Sequence, residues 1–365
     1  MDTKNQPNAT VRNPHLQPQL EPPGWTQLVL PAQAAFQQDV KLLSQSFSHK
    51  PHDRIWSGYE AEAKAVLRAS VSELAVRHAI ISLCALRECI QTHGNTYNIR
   101  AESTASFRQG LQHYNKAVTS LVGKLSYVDR SSVESALLCC QLFISIEVLQ
   151  KNFASAVQHF IHGMKIMNDY HIRPTLNEAG HLVLPQHQGL PQIDSFVIKL
   201  FSMSCSQEQR DSKSNQIDSK KTRGSPSHSS SSPKKNLMED PIVCQTRDKL
   251  GSIAIRTLDY IDRISRVDTI NAIPALIAER KHLIEDLELW YREAQDFAAQ
   301  NVLVAASKTQ GGFLFIFYSI LRAILKASLH YSKSLNKDLE VDFERMLKIA
   351  TTLMKLKNQH LATTN

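Results

Sequence analysis

The sequence predicts an all-α protein, a multi-helix array of antiparallel helical hairpins interrupted by a disordered linker. Three observations predict it. Apolar residues recur at spacings of three and four through most of the chain, the signature of helices with a buried face. No convincing run alternates apolar and polar residues as a half-buried strand would. Between 204 and 241 the periodicity stops in a polar, Ser/Lys-rich stretch. With 365 residues and 42% hydrophobic content, the chain is long enough to bury a substantial core.

Residues 1–35 are rich in Pro, Gln and Asn and too poor in apolar side chains to offset the entropy of ordering. The first half of a helical domain follows over 36–203. In "SVSELAVRHAIISLCALRECI", Ser70 and Glu73 have capping-box spacing, and Ala79, Leu83, Leu86 and Ile90 share one face. Phe107, Leu111, Tyr114, Val118, Leu121 and Leu125 form the apolar stripe of the next helix. Ser131 and Glu134 are spaced to cap a helix that is apolar nearly all round, from Leu137 through Leu149, and so predicted to be central. A short "QKN" link makes an antiparallel hairpin, with Asn152 placed to cap the next helix. That helix presents Phe153, Ala156, Phe160 and Met167, and Gly163 allows close approach.

Helices resume over 242–357. Leu250, Ile253, Leu258, Ile261 and Ile264 line one. Pro274 suits the first turn of another, which carries Ile277, Ile284, Leu287, Trp290, Tyr291, Ala294 and Phe297. Gly311 and Gly312 read as a helix boundary before a helix over 312–333. Asp338 is placed to cap a last one through Leu353 and Leu356, with 358–365 as a tail.

Composition narrows the function. A net charge of +8 and a pI near 9.1 suit a nuclear or nucleic-acid setting, but the excess is diffuse. The first residues lack an apolar signal core, so secretion is not expected and the Asn8-Ala9-Thr10 sequon is a chance match. "FLFIFYSILRAIL" is short for a bilayer span and contains Arg322, so no membrane association is expected. The six cysteines (Cys84, Cys89, Cys139, Cys140, Cys205 and Cys244) include no Cys-x-x-Cys pair and read as free thiols in apolar helices of an intracellular protein.

Glu147, His159 and His162 are the residue types of a metal site, with the histidines three apart on one helix and the glutamate on its antiparallel neighbour. No Glu-x-x-His accompanies them in the central helices, which di-metal bundles require. Glu147 is therefore expected to pair with a basic side chain or a helix end, and His159 to pack or hydrogen-bond. Phosphate loops, nucleophile elbows, His-Glu-x-x-His and dinucleotide fingerprints do not occur. No catalytic residue, cofactor or metal is assigned, and the chain is not expected to be an enzyme. Lys220, Lys221 and Arg223, then Lys234 and Lys235, are spaced like a bipartite nuclear-import signal. Ser225 and Ser232 each precede a proline and are candidate phosphorylation sites that would oppose import. The alternative is a basic linker that is merely solvated.

The segment "SALLCCQLFISIEVLQKNFASAVQHFIHGMKIM" resembles the regulatory domain of fungal-specific transcription factors that carry an N-terminal zinc binuclear cluster. Ala156, His159, Gly163 and Ile166 stand at the places of that family's A-x-x-H-x-x-x-G-x-x-I/L pattern. "VRHA" and the apolar run after it are similar to an early helix of the family. "FRQGLQHYNKAVTSL" is similar to its A-L-x-x-Y-N-K-A-I-x-x-L helix. The three occur in the family's order within 36–203. The resemblance implies a nuclear regulator of a metabolic or secondary-metabolite gene set. Its implied partners are other transcription factors or the transcription machinery, in homo- or hetero-oligomers. The family's six closely spaced cysteines are missing from this sequence, whose start looks like the linker that would follow them. The family's C-R-D-P segment beyond the last helix is missing too. DNA contact is accordingly expected to be indirect or weak. The competing reading is a non-enzymatic helical scaffold or adaptor unrelated to transcription.

Overall fold

The computed structural model describes residues 64–93, 104–126, 129–187, 189–202, 241–267, 270–299, 308–329 and 335–363. The helices are α1 (64–72), α2 (Leu74–His93), α3 (Ala105–Lys124), α4 (Arg130–Leu149), α5 (Phe153–Asp169) and α6 (193–202). Beyond the linker come α7 (Pro241–Ser265), α8 (Ile273–Ala299), α9 (Lys308–Ala327) and α10 (Leu335–Thr363). Two two-residue strands, β1 (Thr175–Leu176) and β2 (Leu182–Val183), pair antiparallel between α5 and α6. The all-α expectation holds, with this small hairpin as the exception. The proposed linker lies outside the described residues, as do residues 1–35.

α4 carries apolar side chains on every face and is enclosed accordingly. Leu138, Leu142, Phe143 and Ile146 join a core built with α1, α2 and α3. Val133, Leu137, Cys140 and Ile144 join a second, larger core with α5, α6 and all four helices from 241 onward. Among the described residues α4 alone is long and apolar enough to cross a bilayer, and most of it is buried inside the protein. The second core crosses the linker, so the two halves of the sequence form one packed body.

The hairpin between α4 and α5 closes as the "QKN" link suggests. Lys151 takes a left-handed φ of 56°; its N–H donates to the Val148 carbonyl, and that of Asn152 to the Glu147 carbonyl. This is a Schellman motif, and it satisfies carbonyls the helix end would orphan. α5 ends in the same way at His171, φ 44°, which turns the chain toward β1. Gly163 lets α6 approach α5, because a Cβ there would sit 2.6 Å from Cγ1 of Ile193.

The capping residues differ from those the sequence suggests. Ser70 lies inside α1 and donates to the Leu67 carbonyl at 2.7 Å, while Glu73 forms an ion pair with Lys124 at the end of α3. Asp129, rather than Ser131, caps α4 by accepting from the Ser132 N–H at 2.7 Å. Asn152 stands at the N-cap of α5, but its amide is turned to Glu147 and Ser155. Asp338 lies within α10, which starts at Leu335 and continues to Thr363, into the stretch read as a tail. Gly311 and Gly312 fall inside α9, where Gly312 makes room for Leu353 of α10. The α3 stripe is half right: Phe107, Tyr114 and Leu121 pack against the core beside buried Gly110, His113 and Ala117, while Leu111, Val118 and Leu125 are exposed. The apolar count misplaced that half because glycine and alanine are the residues that let α2 approach closely; Gly110 leaves no room for a Cβ beside Leu86.

The second half is tied together by charge as well as packing. Asp342 of α10, almost wholly buried, is met by Arg322 and, at 2.8 Å, by Lys326 of α9. Arg322 also reaches Glu288 of α8 at 2.7 Å. Leaving any of these groups unpaired in a buried setting is costly, which fixes how α8, α9 and α10 sit on one another. Arg280 donates to the carbonyls of Ser328 and Leu329 and closes the end of α9.

Because the two faces of α4 serve different cores, Leu137→Ala and Leu138→Ala are each expected to lose about 2–5 kcal/mol of stability. Urea denaturation measures both. A near-neutral effect at either position would mean that one face of α4 is not enclosed.

Candidate functional site

Two of the segments singled out in the sequence, the α4–α5 hairpin and the α3 helix, meet at one polar cluster. Phe143 and Glu147 are four apart on α4 and therefore share a face. Tyr114 of α3 donates its hydroxyl hydrogen to Glu147 Oε1 at 2.8 Å, and Asn152 donates to Oε2 at 2.7 Å. His159 of α5 lies on the other side of the tyrosine, with Nε2 3.1 Å from the hydroxyl oxygen. Since the hydroxyl hydrogen is used on Glu147, Nε2–H of a neutral imidazole is the donor. The Phe143 ring packs against both Tyr114 and His159, with centroids 5.0 and 5.1 Å away.

Burial governs the titration of this cluster. It raises the Glu147 carboxyl above its usual range, opposed by the hydrogen bonds from Tyr114 and Asn152. It raises the Tyr114 hydroxyl as well, with the nearby Glu147 charge adding to the effect. It lowers His159 to about 4, helped by His162. A second pair stands between α2 and α3, where His78 Nδ1 and His113 Nδ1 are 2.9 Å apart. Burial and the neighbouring His113 lower His78 to about 4, and burial also lowers His113. One proton bridges the two nitrogens; a second has no acceptor between the rings.

These groups hold helices together. Glu147, expected at a basic side chain or a helix end, meets a tyrosine and an asparagine, and through Asn152 it fixes the start of α5. His162, expected to share a face with His159, is exposed. Cys139 and Cys140 are buried in different cores, so the adjacent thiols cannot serve one site. Burial raises both, Cys140 to about 12. Cys84, Cys89 and Cys244 are free thiols as well, and Cys205 lies outside the described residues. Among the described residues no group of three metal-ligating side chains comes together. The pairing of Tyr114 with Glu147 escaped the sequence reading. The available signal was the carboxylate inside an apolar run, which requires a donor somewhere.

A cavity of about 460 Å³ lies apart from this cluster, between α5, α7, α9 and α10. Half of its lining residues are apolar, among them Met164, Met167, Ile264, Ile324, Phe343 and Leu347. At one end Arg173 and Asp194 form a two-bond ion pair, at 2.9 and 2.6 Å. Arg173 also donates to Ser195 at 3.0 Å and to Ser265 of α7, so most of its hydrogens are spent on the protein. No pattern in the sequence announces this cavity, because its walls come from helices up to about 180 residues apart in the chain.

Lys220, Lys221, Arg223, Lys234 and Lys235, together with Ser225 and Ser232, lie outside the described residues. A curated protein of Purpureocillium lilacinum, the transcription regulator lscL, is 33% identical to this chain over 319 residues, which cover 86% of the chain and 76% of lscL. A match that long includes helices on both sides of the linker. No protein-family model matches the chain, and no solved structure does.

The histidines give stability a pH dependence. A histidine whose folded pKa lies near 4 binds protons more weakly folded than unfolded, so stability is lost as pH falls from its usual 6.5. Glu147 acts the other way, since its raised pKa costs stability as pH rises above the usual carboxyl range. Between about pH 7.5 and about pH 5, His78 and His159 should each withdraw about 1–2 kcal/mol. Urea midpoints at the two pH values check the sum. His159→Gln should make the loss shallower; an unchanged loss would remove His159 from the account.

Proposed function

We propose, since the chain belongs to the family of fungal transcription regulators that includes lscL, that it acts in the nucleus as a regulator working through protein partners. The observation that carries this reading is the 33% identity to lscL over most of both chains. The packing is consistent with it. Tyr114, Glu147 and His159 stand in two of the three segments that resemble the regulatory domain of zinc-cluster transcription factors, and here they form one hydrogen-bonded cluster. The residues that carry the resemblance are thus those that assemble a helical scaffold, as a regulatory domain needs and an active site does not. On this reading the chain is not an enzyme.

The finer assignments follow from the sequence. The genes it controls form a metabolic or secondary-metabolite set. Its partners are other transcription factors or the transcription machinery, joined in homo- or hetero-oligomers. The basic clusters at Lys220, Lys221, Arg223, Lys234 and Lys235 direct import, and phosphorylation at Ser225 and Ser232 opposes it by adding negative charge. DNA contact by the chain alone rests on diffuse positive charge, without a base-reading element.

Two measurements test this. A fluorescent fusion too large to diffuse through nuclear pores should concentrate in the nucleus, and changing the five basic residues to alanine should disperse it. Acidic replacements at Ser225 and Ser232 should act in the same direction. Undiminished accumulation in the five-alanine variant would reduce the segment to a spacer. The purified chain should bind DNA without sequence preference and lose that binding steeply with salt. A footprint at one sequence that survives physiological salt would contradict the partner-mediated reading.

A further inference from the structure

We infer that the cavity between α5, α7, α9 and α10 is a binding site for a small amphipathic molecule with an apolar body and a cationic head. Its volume of about 460 Å³ falls within the range that small-molecule sites occupy. The methionine, isoleucine, leucine and phenylalanine side chains on one part of its wall suit an apolar body, while polar residues line the rest.

The mouth sets the sign of the head group. The exposed residues that line it are Lys165 and Asp169 of α5 and Glu340 and Glu344 of α10, three carboxylates against one ammonium. No ion pair joins any of the three to another described residue. Glu340 and Glu344 are four apart on one helix face, where like charges repel. The last turn of α5 adds the negative end of its helix dipole beside Asp169. The deeper charges do not alter this balance, since Arg173 and Asp194 neutralise each other. An amine head at the mouth relieves the repulsion, whereas a carboxylate or phosphate head adds to it.

The position gives occupancy a consequence. α5 belongs to the first half of the sequence and α7, α9 and α10 to the second, so an occupant bridges the two halves. On the transcription reading such a molecule is an effector. Binding itself does not depend on that reading, and calorimetry on the purified full chain tests it alone.

The probes are n-decylamine, n-decanol and decanoate, each below its micelle concentration. Decylamine should bind saturably, about 5- to 10-fold more tightly than decanol at low salt, and decanoate more weakly than either. Glu340→Gln with Glu344→Gln, at exposed positions that leave the fold alone, should bring the amine down to the alcohol. Ala327→Phe, which places a ring in the cavity, should abolish binding of all three. Equal binding of amine and carboxylate would overturn the inference. So would an amine preference that survives the double glutamine variant, or binding by a folded Ala327→Phe protein that matches wild type.

Discussion

The architecture depends on a helix with no polar face. α4 must be covered on all sides, because leaving any of its leucine, isoleucine or phenylalanine side chains in water forfeits about 1.5–3 kcal/mol apiece. One set of partners cannot surround a cylinder, so two sets do: α1 to α3 on one side, α5 and the later helices on the other. The rest of the packing follows. α2 and α3 must lie close together to form one wall, which is why Gly110 and Ala117 face inward. The second wall needs more helices than the first half of the chain contains, and it recruits α7 to α10 from beyond the linker.

An enclosed apolar helix is specified only weakly in rotation, since most of its faces are alike. The polar groups it carries supply what packing leaves open. Glu147 has two oxygens to satisfy away from water, and only one rotation of α4 brings Tyr114 and Asn152 to them. His159 then completes the hydroxyl of Tyr114, so that α3, α4 and α5 are registered by one chain of hydrogen bonds. The charged ladder of Glu288, Arg322, Asp342 and Lys326 does the same for α8, α9 and α10. Buried ion pairs contribute little net stability against an apolar core, but each excludes arrangements that would leave a charge alone. Membership in a transcription-regulator family fits a protein whose buried polar groups are spent on holding helices in register.

The cavity arises where the two halves meet. The α5 helix ends at His171, and the chain turns into β1 there, so the space below the helix end is not filled by a continuing helix. Arg173 and Asp194 brace the turn against α6 and, through Ser265, against α7. The opening is thus a product of helix termination at the junction of two sequence halves, held by an ion pair rather than by side chains that fill it.

Periodicity and composition were enough to read the class, the central place of the Arg130–Leu149 helix and its hairpin with the next. Those features follow from the apolar character of contiguous residues, which is local information. Local patterns also misled. Ser131 looked like a cap, but Asp129 takes that place because its carboxylate reaches the Ser132 N–H. Half of the α3 stripe points outward, because close helix approach selects small residues, which carry little hydrophobic weight. Glu147 announced that a partner was needed without saying which one, since the answer lay 33 residues away on another helix. The cavity and the histidine pair had no sequence signal at all. Each is made by side chains that only become neighbours when distant helices pack, and no spacing rule along the chain encodes distances between helices.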